Sequence, residues 1–218
     1  MKPAPLAAGS GAEGSRTDGA DGAKRRQILD GARRCFLASG FEGASMGEIA
    51  REAKVSKGTL YVYFDSKEAL FEALIDEKKR DTAERMLTLE DTSGPVGDVM
   101  RAFGAQLILA LVRPDHVALV RLVIGASERF PEIARTLFES GPEHGAKRLE
   151  QFLRERQARG ELGSRDMTTA AWQFIGMCYH RSMTEALLAG LPGPDSATAA
   201  RRAGEAVETF LAAYGPGR

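Results

Sequence analysis

Apolar positions in this chain recur at helical spacing from about residue 23 onward, and no stretch alternates with the period of two that a half-buried strand requires. The predicted elements are therefore helices. Ile28, Ala32, Cys35 and Phe36 form an i, i+4, i+7, i+8 stripe on a first helix from about Ala23 to Ser39. Gly40 is placed to end it, and Phe41 to fold back onto its last turn. Ser45 and Glu48 have the Ser-x-x-Glu spacing of a capping box and start a short second helix that turns Ile49, Ala50 and Ala53 inward. Ser56 is a good N-cap for a third helix. Asp65 and Glu68 repeat the capping-box spacing and launch a fourth helix through Ala69, Leu70, Ala73 and Leu74 to about Leu89.

The clearest break is "EDTSGPVGD", residues 90–98. Beyond it the pattern predicts helices at 97–112, 115–129, 131–159 with a weak point at Gly141-Pro142, 167–190 and 195–214. Pro114, Pro131, Gly160, Gly163 and "GLPGPD" punctuate them. Residues 1–22, rich in Gly, Ala, Ser, Pro and Asp, carry too little apolar surface to offset the entropy of ordering and read as a flexible tail. The expected organisation is all-α: a tail at 1–22, a helix-turn-helix domain over 23–89 and a C-terminal helical bundle over 95–215.

Two short capped helices separated by a tight turn and leaning on a longer one make a helix-turn-helix, whose second helix enters the major groove of DNA. Placing Leu60 inward puts Phe64 beside it and leaves Gly58, Tyr61 and Val62 on the outer ridge, with Lys57 at its edge. Gly58 inside a helix costs on the order of 1 kcal/mol relative to Ala. Close approach to DNA is one reason to tolerate it; a place in the first turn, where the penalty is weak, is another. Tyr61 and Tyr63 carry hydroxyls on rigid arms suited to phosphate oxygens, Tyr63 partly packed against the fold, while Lys57 reaches a guanine edge or a phosphate. Ser45 and Lys67 stand at the starts of the second and fourth helices, where backbone N–H groups and the helix dipole favour phosphate. An ordinary cap and a solvated lysine account for them as well. Ser56, at the start of the third helix, completes the candidate DNA-facing set.

Charge adds a local argument. The formal net charge is zero, yet nine basic residues lie between Lys24 and Lys67 against five acidic ones, so a nucleic-acid role would rest on this local cluster rather than on overall charge. A solvated helix surface would give the same count. Glu-x-x-His pairs, which a di-iron helical bundle needs, do not occur. Cys35 and Cys178 lie in apolar helical patterns without partners at metal-ligand spacing. We expect no metal, no cofactor and no enzymatic activity. The N-terminus "MKPAPLAAGSGAEGS" lacks the apolar run of a signal peptide, and no segment approaches the roughly 18 apolar residues of a membrane span. A cytoplasmic protein with no membrane partner is expected.

The stretch "SMGEIAREAKVSKGTLYVYFDSKEALFEAL", with "ILDGARRCFLASGFEGASM" leading into it, closely resembles the DNA-binding domain of TetR-family transcriptional regulators over about Arg25 to Leu74. "RLVIGASERFPEIARTLFE", residues 121–139, looks like the C-terminal domain of the AefR-like subgroup. The resemblance implies a homodimer whose third helices enter successive major grooves of a palindromic double-stranded operator. It also implies a C-terminal domain that holds a small hydrophobic or amphipathic inducer and dimerises through its last two helices. For Lys57, Gly58, Thr59, Tyr61 and Val62 it implies contacts to bases or the nearby backbone, and for Ser45, Tyr63 and Lys67 contacts to phosphate. Such a bacterial repressor would sit on the nucleoid when operator-bound. One position departs from the family: the turn residue before Val55, commonly Gly, is Lys54, at a cost of roughly 1 kcal/mol if the backbone there is left-handed.

In the C-terminal half, Met100, Phe103, Leu107 and Leu111 share one helix face, and Leu119, Leu122, Phe130, Leu137 and Phe138 follow on later helices. They suit a ligand pocket, and equally a plain core. His116, His144 and His180 are scattered and read as surface or packing residues. The helix from Met167 is apolar all round, with Trp172, Phe174, Ile175, Met177, Cys178 and Tyr179. Phe174 and Met177, with Val207, Phe210 and Leu211 on the last helix, are the expected subunit interface, and Trp172 and Ile175 on the other side would close the pocket. The alternative is a helix-turn-helix dimer that binds DNA without any ligand.

Overall fold

A computed structural model describes residues 14–86 and 93–216, with side chains placed for residues 21–77 and 93–216. Every described element is a helix: α1 Gly14–Gly43, α2 Met46–Glu52, α3 Lys57–Tyr63, α4 Lys67–Met86, α5 Val96–Leu111, α6 Pro114–Ala126, α7 Pro131–Phe138, a π-helical turn Glu139–Glu143, α8 His144–Ala158, α9 Met167–Leu188 and α10 Ser196–Tyr214. The chain divides into two compact units between Leu74 and Ile75. That division falls inside α4, earlier than the expected end at residue 89, because the first turns of α4 already bury Leu70, Phe71 and Leu74. Residues 87–92, which take in the first three positions of the expected break at 90–98, lie outside the described residues. So do residues 1–13 of the expected tail. Its remainder from Gly14 is helical and continuous with α1, which corrects the tail boundary at residue 22.

In the first unit, Ile28, Leu29, Ala32 and Phe36 of α1 are buried, and Gly40 interrupts the helix with φ +70°. That left-handed residue folds Phe41 back, so its ring stacks on Phe36 at 5.5 Å and meets Phe71 of α4 at 5.1 Å. α2 packs so closely on α1 that a Cβ on Gly31 would lie 2.6 Å from Ala53 Cα. Gln27 holds the same place, donating from Nε2 to the Ala53 carbonyl at 2.7 Å. The start of α4 differs in detail from expectation. Its cap is Ser66, whose Oγ accepts from Ala69 N at 3.1 Å, rather than Asp65.

The second unit is built around α5, α9 and α10. Glycines allow the helices to approach: a Cβ on Gly104 would meet Cys178 Sγ at 3.0 Å and Ala203 Cβ at 3.1 Å. Phe174 is enclosed there, edge-on to Phe210 at 5.6 Å and beside Phe103 at 6.4 Å. Two polar side chains are buried, Arg156 and Ser182. Arg156 makes a two-pronged ion pair with Glu161 at 2.9 and 2.8 Å, and Ser182 accepts at 2.6 Å from the half-buried Arg202, which also bonds Glu185 at 3.1 Å. The predicted weak point at Gly141-Pro142 is where the helix widens into the π-turn. Pro142 has no N–H to donate to the carbonyl four residues back, and the Ser140 hydroxyl bonds the Thr136 carbonyl at 2.7 Å.

Packing reassigns three residues expected at the subunit interface. Phe174, Val207 and Phe210 are fully enclosed in this unit's own core, on the α9 and α10 faces that turn toward α5, and have no surface to offer a partner. Met177 is exposed and Leu211 half-buried.

Candidate functional site

The outer surface of α3 is the first candidate. Leu60 at 0% exposure and Phe64 at 6% anchor the helix, so the ridge opposite must face out: Lys57 and Gly58 are exposed, Tyr61 is 50% and Val62 82% exposed. A large valine and a tyrosine left in water on a seven-residue helix have no packing role in the free protein. Gly58 is likewise not required by the fold, since a Cβ there would meet only Ser56 Oγ, at 3.8 Å. Ser56 accepts from Thr59 N at 3.0 Å and its hydroxyl pairs with that of Thr59 at 2.8 Å, so Thr59 is half-buried in the cap rather than on the open ridge. Lys57 lies back against α2, its Cε 3.0 Å from where a Cβ on Gly47 would sit.

The turn before α3 has a backbone that glycine would adopt more cheaply. Lys54 has φ +54°, the single non-glycine residue with positive φ among the described residues. Its N–H bonds the Arg51 carbonyl at 3.1 Å and the Val55 N–H bonds the Ala50 carbonyl at 2.9 Å, the paired bonds of a Schellman ending for α2. The second unit ends α8 with the same two bonds, and there Gly160 supplies the positive φ.

The phosphate candidates already have partners within the chain. Ser45 is exposed and forms the full capping box, with its Oγ 2.8 Å from Glu48 Oε2 and its N–H bonded to the same carboxylate at 3.0 Å. Those bonds hold the Glu48 carboxyl below its usual range. The Tyr63 hydroxyl donates to Asp21 at 2.5 Å, which raises its pKa. Lys67 donates to the Ala44 carbonyl at 3.1 Å and sits over the Phe41 ring at 4.4 Å, tying α4 to the end of α1. Among the basic residues, Arg33 pairs with Asp30 and Arg34 with Glu52, while Arg51, Lys54 and Lys57 are exposed close to the α3 ridge in sequence.

The second candidate is a cavity of about 530 Å³ in the C-terminal unit, within the range of small-molecule sites. Phe103, Leu107 and Leu111 reach it from successive turns of α5, Leu119 from α6, and Trp172 and Ile175 from α9, as the helical register predicts. Three residues expected there are elsewhere. Met100 lies one turn beyond Phe103 and is wholly buried in the core. Leu122 falls off the α6 stripe Leu119, Val120, Val123, Ile124, Ser127 that faces the cavity, and Phe130 caps α7, its ring 5.5 Å from the Arg129 guanidinium. Phe138 and Trp172, 49% and 39% exposed, stack nearly parallel at 6.1 Å on the cavity wall beside the π-turn.

Polar groups of the cavity escaped the sequence reading. His116 and His144, read as surface or packing residues, line it together with Arg148 and Tyr179. Burial raises the Tyr179 pKa, which keeps the phenol protonated. Arg148 carried no sequence signal, since α8 is rich in charge on every side. Among the described residues no cluster of His, Cys, Asp or Glu could hold a metal ion, and no helix is long and apolar enough to cross a membrane.

With this geometry in hand, comparisons with known proteins agree on both units. Residues 28–74 match the family described as bacterial regulatory proteins, tetR family, and residues 98–216 match the AefR-like transcriptional repressor, C-terminal domain. An HTH-type transcriptional repressor of Mycobacterium tuberculosis is 35% identical over 62% of this chain and 68% of its own length. The HTH-type transcriptional regulator UidR of Escherichia coli K12 is 30% identical over 67% of this chain and 72% of its own. Among solved structures, a TetR-family transcriptional regulator from Mesorhizobium loti MAFF303099 superimposes with a TM-score of 0.79 at 29% identity, covering 89% of this chain and 98% of that one. The flavonoid-responsive regulator FrrA gives 0.73 at 34% identity, over 90% of this chain and all of the other.

Proposed function

The chain belongs to the TetR family of bacterial transcriptional regulators and is a repressor rather than an enzyme; from that premise we propose that it binds a palindromic operator as a homodimer and is released by a small apolar or amphipathic inducer. The observation that carries the reading is the pairing, in one chain, of an exposed α3 ridge that the fold does not use with a separate apolar cavity of about 530 Å³. Tyr61, Val62, Gly58 and Lys57 approach bases in the major groove, and the start of α3 with Ser56 and Thr59 adjoins the backbone. Ser45 and Lys67 offer phosphate contacts from the starts of α2 and α4, and Tyr63 joins them by exchanging the Asp21 carboxylate for a phosphate oxygen.

Dimerisation uses the outward faces of α9 and α10. Gln173, Met177 and Thr184 on the one, and Arg201, Glu205, Glu208 and Ala212 on the other, are exposed at helical spacing. An inducer in the cavity between α5, α6, α8 and α9 favours a spacing of the two α3 helices that no longer fits successive grooves. FrrA is named flavonoid-responsive, and a planar amphipathic molecule suits walls that include Phe103, Phe138 and Trp172. The site of action is cytoplasmic DNA in the nucleoid.

The test is selection of DNA from a random library by the full chain, followed by light scattering of the complex. Enrichment of a two-fold symmetric site bound by a protein dimer is the expected result. Recovery of no sequence, or a monomer in solution, would overturn it.

A further inference from the structure

We propose that the cavity ligand is an amphipathic organic anion, its charged end held by Arg148 and its apolar body against Phe103, Leu107 and Ile175; this rests on the inducer reading above for its consequence but not for its chemistry. The charge inventory carries it. Among the described residues no Asp or Glu lines the cavity, and Arg148 does. Every other arginine inside α8 has a carboxylate: Arg154 pairs with Glu150 and Arg156 with Glu161. Glu143, one turn before Arg148, is taken by Lys147 at 3.0 Å. Arg148 is half-buried and makes no ion pair among the described residues.

A half-buried guanidinium facing an apolar hollow bears part of the desolvation cost of a charge without the compensation of a partner. An incoming carboxylate supplies that partner through paired N–H donors, whereas a neutral ligand leaves the guanidinium uncompensated and a cation is repelled. Around it the remaining polar groups are donors or neutral. The Tyr179 phenol stays protonated, the Ser140 hydroxyl is committed to the Thr136 carbonyl, and the Ser127 hydroxyl to the Ile124 carbonyl. His116 and His144 complete the polar rim.

Calorimetric titration of the full-length protein with matched probes at neutral pH tests this: decanoate against decanol for an alkyl body, 2-naphthoate against 2-naphthol for a planar one. At least one carboxylate should bind about tenfold or more tightly than its neutral partner. Arg148→Gln should erase the difference by weakening the anion alone, and Arg148→Lys should restore part of it. Equal binding of carboxylate and neutral partner, equal weakening of both by Arg148→Gln, or saturable binding of neither carboxylate would overturn the inference. Operator release is scored separately on the same complexes. A carboxylate that binds through Arg148 and leaves DNA bound defeats the inducer reading while supporting this one; a neutral probe that binds and releases DNA as well as the carboxylate does the reverse.

Discussion

Replacing Lys54 by Gly should stabilise the protein, an outcome opposite to that of most substitutions. Lys54 holds φ +54°, and its Cβ is crowded there against the following carbonyl, at a cost of about 1–2 kcal/mol for an L-residue. Glycine removes that cost but frees the unfolded chain by about 0.4–1 kcal/mol, so the net gain is about 1 kcal/mol. The exposed lysine side chain has no hydrogen bond or ion pair among the described residues to lose, and both Schellman bonds are made by backbone atoms that the substitution keeps. Urea unfolding followed by far-ultraviolet circular dichroism measures the effect; a rise of about 2–4 °C in Tm is the thermal equivalent for a chain of this size. Lys54→Ala is the control, because it removes the same side chain and charge but leaves a Cβ in the left-handed region. It should be within about 0.5 kcal/mol of the parent. Equal stability of the Gly and Ala variants would refute the strain argument. Their operator affinities then separate strain from contact: equal losses, with a salt slope lower by about one, assign a phosphate contact to the Lys54 ammonium.

Other substitutions probe the rest of the account. Tyr61→Ala should weaken operator binding by about 1–3 kcal/mol with no change in Tm, since half of the side chain is in water already; gel-shift titration with unchanged affinity would remove Tyr61 from the interface. Gly58→Ala should keep the fold and still weaken operator binding, because its new methyl has room in the free protein; unaltered binding would mark Gly58 as a first-turn residue only. Gly31→Ala forces a methyl to 2.6 Å from Ala53 and should cost about 1–3 kcal/mol or more, abolishing DNA binding while ligand binding in the other unit survives. Burial pushes the Cys178 thiol up from 9.0 to about 12. Because its folded pKa is raised, the stability it contributes is complete below pH 9 and is lost progressively as pH rises toward about 12. In a native thiol titration at pH 8 only Cys35 should react, slowly, and prompt labelling of Cys178 would contradict the packing of α9.

The helix order and the α3 ridge were legible because local rules determine them. Ser45 with Glu48, Ser56 and Gly40 act within one turn of themselves, and Leu60 with Phe64 fixes the rotation of α3 once either is placed inward. Facing in the second unit was harder to read. The α9 stretch from Trp172 to Tyr179 is apolar on all sides, and periodicity cannot say that Phe174 and Cys178 go to the core while Trp172, Ile175 and Tyr179 face a cavity. That choice depends on Gly104 letting α5, α9 and α10 approach, a three-helix contact from distant parts of the chain. Arg148 was invisible for the same reason: its neighbours at helical spacing find partners only once α8 is folded, and the lack of one for Arg148 is a property of the assembled unit.

Coupling between the two units is the central claim, and reciprocal titration tests it most directly. Trp172 is the single tryptophan of the chain and lines the cavity, so its fluorescence reports ligand binding with and without saturating operator, while anisotropy of labelled operator reports DNA binding with and without saturating ligand. The account predicts that each partner weakens the other by the same factor, as thermodynamic linkage requires. Ligand binding at Trp172 that leaves operator affinity unchanged would contradict it.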